Sequence, residues 1–223
     1  LVPAWQILRE SAAATDADRA AIDPWLARLP AFAQTAAKDN NGATFRGANA
    51  MLLGLMQGND ALYQQGATTG FNAQLATMRP DGSFPMEVDR GLTALENQSR
   101  NIGLLLYSAR IAQSRGQNLF GAKIDGRGID EAIAFLLAAT DDNALVDKYA
   151  KANRNPSKDY PAFRPNAQVD PFASSATRAW IKLYAARYPG TPLTAALESR
   201  VAPARRLGND IVGGYVTCYD GRV

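Results

Sequence analysis

The sequence contains no histidine, and that absence removes a large share of familiar protein chemistry. Without imidazole there is no Ser-His-Asp or Cys-His arrangement, and no zinc site built on histidine. A single cysteine, Cys218, forms neither an internal disulfide nor a metal cluster and leaves the redox compartment open. Long apolar runs are missing too. The best, Ile102 to Tyr107, falls far short of the roughly 18 to 20 residues that span a bilayer as a helix, so no membrane insertion is expected. No phosphate-binding loop ending in Gly-Lys-Ser occurs, and Gly126-Arg127-Gly128 has neither the spacing nor the preceding strand of a dinucleotide fingerprint. No metal site and no cofactor is expected. Carboxylates, tyrosines, arginines and side-chain amides are what remain for chemistry.

The chain of 223 residues is 47% hydrophobic and 20% charged, the balance of a globular protein able to bury a substantial core. The formal net charge of +3 is too small to announce nucleic acid, and none is expected as a partner. Its distribution is uneven, however. From Val146 to Arg206 there are eleven Lys and Arg against four Asp and Glu, which suits either solvated helix faces or a polyanionic partner. The chain opens at Leu1 without an initiating Met; a processed, exported protein, periplasmic or secreted, is the expectation.

Apolar residues recur at spacings of three and four, and sustained alternation is nearly absent, so the reading is mostly helical. Trp5, Ile7 and Leu8 open a first helix. Asp23-Pro24 reads as a cap followed by proline at the first position of a second helix, which Pro30 bends or breaks. Thr44 to Gln57 is a helix that Gly58 can end, and Asn59 caps a longer one from Asp60 to Met78 in which Gly66 and Gly70 are weak points. Arg79-Pro80-Asp81-Gly82 is turn chemistry, leading to an irregular or short extended segment from Ser83 to Gly91. Helices are predicted over Leu92 to Gln113, Ile129 to Ala139 and Ser175 to Tyr188, with a long polar loop from about Asp141 to Pro171. Helices joined by short turns suggest a bundle or part of an α/α toroid.

Four pieces of sequence then stand out in order: Asn40-Asn41; Arg79-Pro80-Asp81-Gly82-Ser83-Phe84-Pro85-Met86-Glu87-Val88-Asp89-Arg90; the helix starting at Ala94-Leu95; and Gly213-Gly214-Tyr215-Val216-Thr217. In that order and spacing they resemble the alginate lyase family of polysaccharide lyases. The resemblance covers nearly all of this chain but only the C-terminal part of such a lyase. It implies an all-α fold, a partial α/α toroid of antiparallel helix pairs with an irregular C-terminal tail. It also implies one domain over residues 1–223 without the family's N-terminal helices; a second chain or segment completing the toroid, a removed segment and a real loss all stay open. The implied partner is an acidic, uronate-containing polysaccharide.

Cleaving a uronate polymer by β-elimination requires removal of the C5 proton, which becomes feasible when the C6 carboxylate is neutralised and the developing charge is stabilised. The resemblance places Asn41 and Arg90 on that carboxylate. A base and an acid must then move protons, and in the family these are histidine and tyrosine. Here Gly42 stands at the histidine's place and Asn97 at the tyrosine's. A substitute tyrosine would come from the long loop, where Tyr149 and Tyr160 are candidates and Tyr160 is the one assigned, or from Tyr215 in the tail. Asn40, Arg46, Asn97, Arg100 and Tyr215 are the candidate sugar contacts. Two other readings stay open: a binding relative that does not cut, and a glycoside hydrolase using two carboxylates among Asp39, Glu87, Asp89 and Glu96. Asn40 and Asn41 also read simply as a helix cap.

Overall fold

Several helices in this chain start at a capping side chain that accepts a backbone N–H of the first turn. The structure is a computed structural model that describes residues 5, 8–9, 11–28, 40–153, 163–201, 208–209 and 214–215. Helix α1 (Asp16–Leu26) begins at Thr15, which accepts the Asp18 backbone N–H while the Asp18 carboxylate accepts that of Thr15. Asp23-Pro24 therefore does not open a helix; Pro24 lies inside α1. The Asp23 carboxylate is taken by Trp5 Nε1 at 2.8 Å and Arg9 Nε at 3.0 Å, long-range donors invisible to a local reading. Pro30 lies outside the described residues.

Asn40 caps α2 (Asn41–Gln57) by accepting the Gly42 N–H at 2.9 Å, and Gly58 ends it with φ at 63°. Asn59 starts α3 (Asp60–Gly66), which continues through a π-helical turn (Ala67–Asn72) into α4 (Ala73–Thr77). Gly66 and Gly70, expected as weak points, are where this rod touches α2. A Cβ on Gly70 would stand 2.6 Å from the Gly47 Cα, and one on Gly66 2.5 Å from the Gly47 carbonyl oxygen. Backbone-to-backbone contact this close outweighs the helix-propensity cost of glycine.

The segment after the turn holds a short helix, α5 (Pro85–Val88), where the sequence predicts an irregular stretch; Pro85 supplies the pre-set φ at its first position. A 3₁₀ turn (Gly91–Thr93) leads into α6 (Ala94–Gln113). Then come α7 (Ile129–Asp141) and α8 (Ala144–Ala150). The expected loop from Asp141 is thus partly helix, because Val146 and Ala150, one turn apart, are buried against the core. Residues 154–162 of that loop lie outside the described residues. The predicted helix from Ser175 is divided into α9 (Ser175–Arg178) and α10 (Trp180–Arg187), and α11 (Pro192–Ser199) starts after a Thr191 cap. In the tail, β1 (Gly208–Asn209) pairs antiparallel with β2 (Gly214–Tyr215).

Cross-contacts fix the directions. Gly54 faces Tyr63 while Gly47 faces Gly66 and Gly70, so α2 and α3 are antiparallel. Asn41 meets Asn97 and Thr44 meets Asn101, so α2 and α6 run parallel. Ser99 meets Thr177 and Gly103 meets Trp180, so the α9–α10 segment runs parallel to α6 on its other side. Helix α6 is consequently enclosed on nearly every face, with Leu95, Ile102, Leu105 and Leu106 in the main core beside Phe71, Phe84, Ile133 and Trp180. Its buried polar side chains, among them Asn97, Gln98, Ser99 and Asn101, bond to neighbours. Among the described residues, no helix is long and apolar enough to cross a membrane.

Candidate functional site

Asn41 and Arg90 meet on one oxygen atom. Asn41 Nδ2 donates to Asn97 Oδ1 at 3.3 Å, and Arg90 Nη1 donates to the same oxygen at 3.0 Å. The start of α2, the segment after α5 and the first turn of α6 each supply one partner. Asn97 is fixed in rotation because its Nδ2 donates to the Thr93 carbonyl at 2.8 Å and to Thr93 Oγ1 at 3.2 Å, which leaves the oxygen facing the two donors. Arg90 is held from behind by Nε donating to the Met86 carbonyl at 2.9 Å. Asn97 and Arg90 are 3% and 5% exposed, whereas Asn41 is half-buried.

Beneath them lies Glu87, fully buried. Its Oε1 accepts the Asn41 backbone N–H at 2.5 Å, its Oε2 has no hydrogen-bond partner, and Arg90 Nη2 stands 3.6 Å from Oε2. Burial pushes the Glu87 carboxyl up to about 7, against the opposing pull of Arg90, the Asn41 N–H and Arg100.

The turn that delivers Glu87 and Arg90 is clamped onto α6 by Gln98, whose Oε1 accepts the Phe84 N–H at 3.0 Å and whose Nε2 donates to the Gly82 carbonyl at 3.0 Å. Gly82 has φ at 90°, and a Cβ there would stand 2.1 Å from the Glu131 carbonyl oxygen, so the turn admits no other residue without moving. Ser83 closes it by donating its N–H and hydroxyl to Asp81 Oδ1 at 3.1 and 2.7 Å. Deeper along α6, Asn101 accepts from Thr44 Oγ1 at 2.6 Å and donates to Gln74 Oε1 at 3.1 Å, tying α2 and α4 to the same helix. Sequence reasoning missed Gln98, Thr93 and Asn101. Their signal was there, as polar residues interrupting the apolar face around Leu95 and Ile102.

The other candidates divide. Asn40 is buried and its side chain caps α2 through Gly42. Arg46 is half-buried one turn along, and the Cβ that Gly42 lacks would stand 3.5 Å from its Nη1 and 2.9 Å from Asn40 Oδ1. Arg100 pairs with Glu96 at 2.7 Å. Tyr149, on α8 rather than in a loop, donates its hydroxyl to Asp81 Oδ2 at 2.7 Å under the Arg79 guanidinium, which places it at the turn. Tyr160 and Asp39 lie outside the described residues, as does the side chain of Tyr215. Of the four acids weighed for hydrolysis, the three described are each held by an arginine: Glu87 by Arg90, Asp89 by Arg79 at 3.6 Å and Glu96 by Arg100.

The family model for alginate lyase matches residues 1–145, a span that contains Asn41, Glu87, Arg90 and Asn97. The chain belongs to the alginate lyase family. A polysaccharide lyase from Stenotrophomonas maltophilia (strain K279a) is 29% identical over 200 residues, covering 86% of this chain and 54% of that relative. Among solved structures, alginate lyase A1-III from Sphingomonas species A1 superposes with a TM-score of 0.77 at 21% identity, over 97% of this chain and 57% of that one. An alginate lyase from Bacteroides ovatus superposes with a TM-score of 0.62 at 19% identity, over 89% and 50%. This alginate lyase family member thus spans about half the length of these relatives. Its helices share the α/α toroid of A1-III, of which the chain forms a part.

Proposed function

We propose that this polysaccharide-lyase-like chain acts on a uronate-containing polysaccharide by β-elimination, with Asn41 and Arg90 neutralising the C6 carboxylate. The observation that carries the reading is the convergence of both donors on Asn97 Oδ1. An amide oxygen there is a neutral acceptor. A sugar carboxylate in its place would be charged, and charge-assisted hydrogen bonds are roughly twice as strong as neutral ones. Neutralising that carboxylate is what makes the C5 proton removable.

Tyr160 is assigned the proton transfers, first as base and then as acid toward the departing glycosidic oxygen. Asn40, Arg46, Asn97, Arg100 and Tyr215 are the proposed sugar contacts, and a further segment or chain completes the groove. A periplasmic or secreted location is part of the same proposal, since a polymeric substrate would be met there. The experiment is incubation with a panel of uronate polymers, following the ultraviolet absorbance of unsaturated ends and, separately, binding.

A second reading, a relative that binds acidic polysaccharide without cutting it, is favoured by Gly42 and Asn97, because neither a glycine nor a carboxamide transfers a proton at a useful rate. Binding without new absorbance selects this reading. New reducing ends without the absorbance would select hydrolysis and reject both.

A further inference from the structure

Among the described residues, Glu87 is the one fully buried acid packed against the Asn41–Arg90 pair, and the elimination proposed above makes no use of it. Its two oxygens are unequal: Oε1 is bound by the Asn41 N–H, and Oε2 faces Arg90 Nη2 at 3.6 Å without a hydrogen bond. An ionised Glu87 therefore balances the charge of the same guanidinium that the carboxylate-binding reading gives to the sugar.

On the Glu87 segment itself, Arg90 faces Glu87 and Asp89 is drawn toward Arg79. From α2 comes the Asn41 N–H. From α6 comes Arg100, whose charge is shared with Glu96. On α8, Lys148 reaches Asp81, and Asp147 is occupied by Gln168 and the Asn166 N–H. Arg90 is thus the nearest compensating cation, and the full burial of Glu87 leaves its carboxylate no solvent to turn toward.

We propose that Glu87 gates anion binding at this site: ionised, it competes with a sugar carboxylate for Arg90, and protonated, it yields the guanidinium to the ligand while still accepting the Asn41 N–H. Glu87 is a positioning residue that acts through Arg90 and the α2 N-terminus. The inference rests on the carboxylate-binding reading. Its direction is opposite to that of a catalytic base, which must be ionised to work.

The test is binding of a defined-length oligoalginate between about pH 6 and pH 8, a range in which the ligand's own carboxylates stay ionised. With the protonated form competent and half-titration near 7, affinity should fall about tenfold from the lower to the higher pH. Glu87→Gln keeps the acceptor and removes the charge, and should bind across the range as tightly as the native chain does at the lower pH. Calorimetry of the native chain in buffers of different ionisation enthalpy should show uptake of about half a proton per site at about pH 7. This second measurement needs no variant to fold. Native binding that is flat with pH, a Glu87→Gln profile unchanged from native, or zero proton uptake each overturns the gate and leaves the carboxylate reading standing. No binding at any pH overturns both.

Discussion

Arg90 Nη1 and Asn97 Oδ1 stand 3.0 Å apart, and the same oxygen receives Asn41 Nδ2. If a uronate displaces that shared acceptor, Arg90→Ala should weaken polyuronate binding by about 1.5–3 kcal/mol, roughly 10- to 150-fold in Kd, as read by isothermal titration. Arg90→Lys should recover only part of this. A point charge cannot reproduce a guanidinium that bonds Met86 through Nε while offering Nη1 forward.

Restoring the missing proton-transfer groups is the direct test of why the site would or would not cut. The pair Gly42→His and Asn97→Tyr should raise the yield of unsaturated uronate ends above that of the native chain. Gly42→His alone should gain less, because position 97 would still hold a carboxamide that transfers no proton; in both variants the added Cβ would press within 2.9 Å of Asn40 Oδ1 and turn the α2 cap. Product absorbance from the single and double variants, at equal folded concentration, decides the point.

Glu87 also leaves a signature in stability. Its folded-state value, about 7, lies above the ordinary 4.5, so between those values the folded chain holds a proton that the unfolded chain has released. Stability from this group is complete below about pH 4.5 and is lost as pH rises through about 7, by about 3 kcal/mol in all. Glu87→Gln should remove the slope and make the chain more stable than native near pH 8. Urea unfolding at pH 5 and pH 8 measures both effects.

At the turn, burial raises the Asp81 carboxyl, but bonds from Ser83 and Tyr149 outweigh it and hold the group below its usual range. That contribution is present above the unfolded value near 3.8 and is lost as pH falls through the folded one. Tyr149→Phe should cost about 1 kcal/mol at neutral pH and leave polysaccharide binding unchanged. A loss of turnover without a loss of stability would instead make Tyr149 part of the chemistry.

On helix propensity alone, Gly70→Ala would stabilise the rod that contains it. The structure demands the reverse: the added Cβ meets the Gly47 Cα at 2.6 Å. Separating the two backbones should cost about 1–3 kcal/mol, seen as a lowered thermal midpoint.

What the sequence made legible was periodic and local. Helices α2, α6 and α7 announced themselves through apolar spacing, and the Arg79-Pro80-Asp81-Gly82 turn through its residue types. What it hid was tertiary. Asp23 looked like a cap because nothing local says that Trp5 and Arg9 reach it. Helix α8 is hidden inside a charged stretch because only Val146 and Ala150 are fully buried, with Tyr149 partly buried beside them. At the site, the convergence of Asn41 with Arg90 was expected from the resemblance. Asn97 reads in the sequence as a replaced tyrosine and a candidate sugar contact, whereas in the structure it is the acceptor on which the pair closes. Glu87 read as one acid among four, and no pattern in Met86-Glu87-Val88 distinguishes a carboxylate with no exposure from one in solvent.

The amides of α6 point to different neighbours: Asn97 toward α2 and Arg90, Gln98 toward the turn, Asn101 toward Thr44 and Gln74. Each residue added to a helix turns everything beyond it by about 100°. A single insertion upstream of Asn97 would hand all three amides to the wrong neighbours at once, and a compensating deletion downstream could not return them. Side chains at the site can therefore be exchanged one by one, but a residue cannot be added to the first turn of α6 without turning all three amides away.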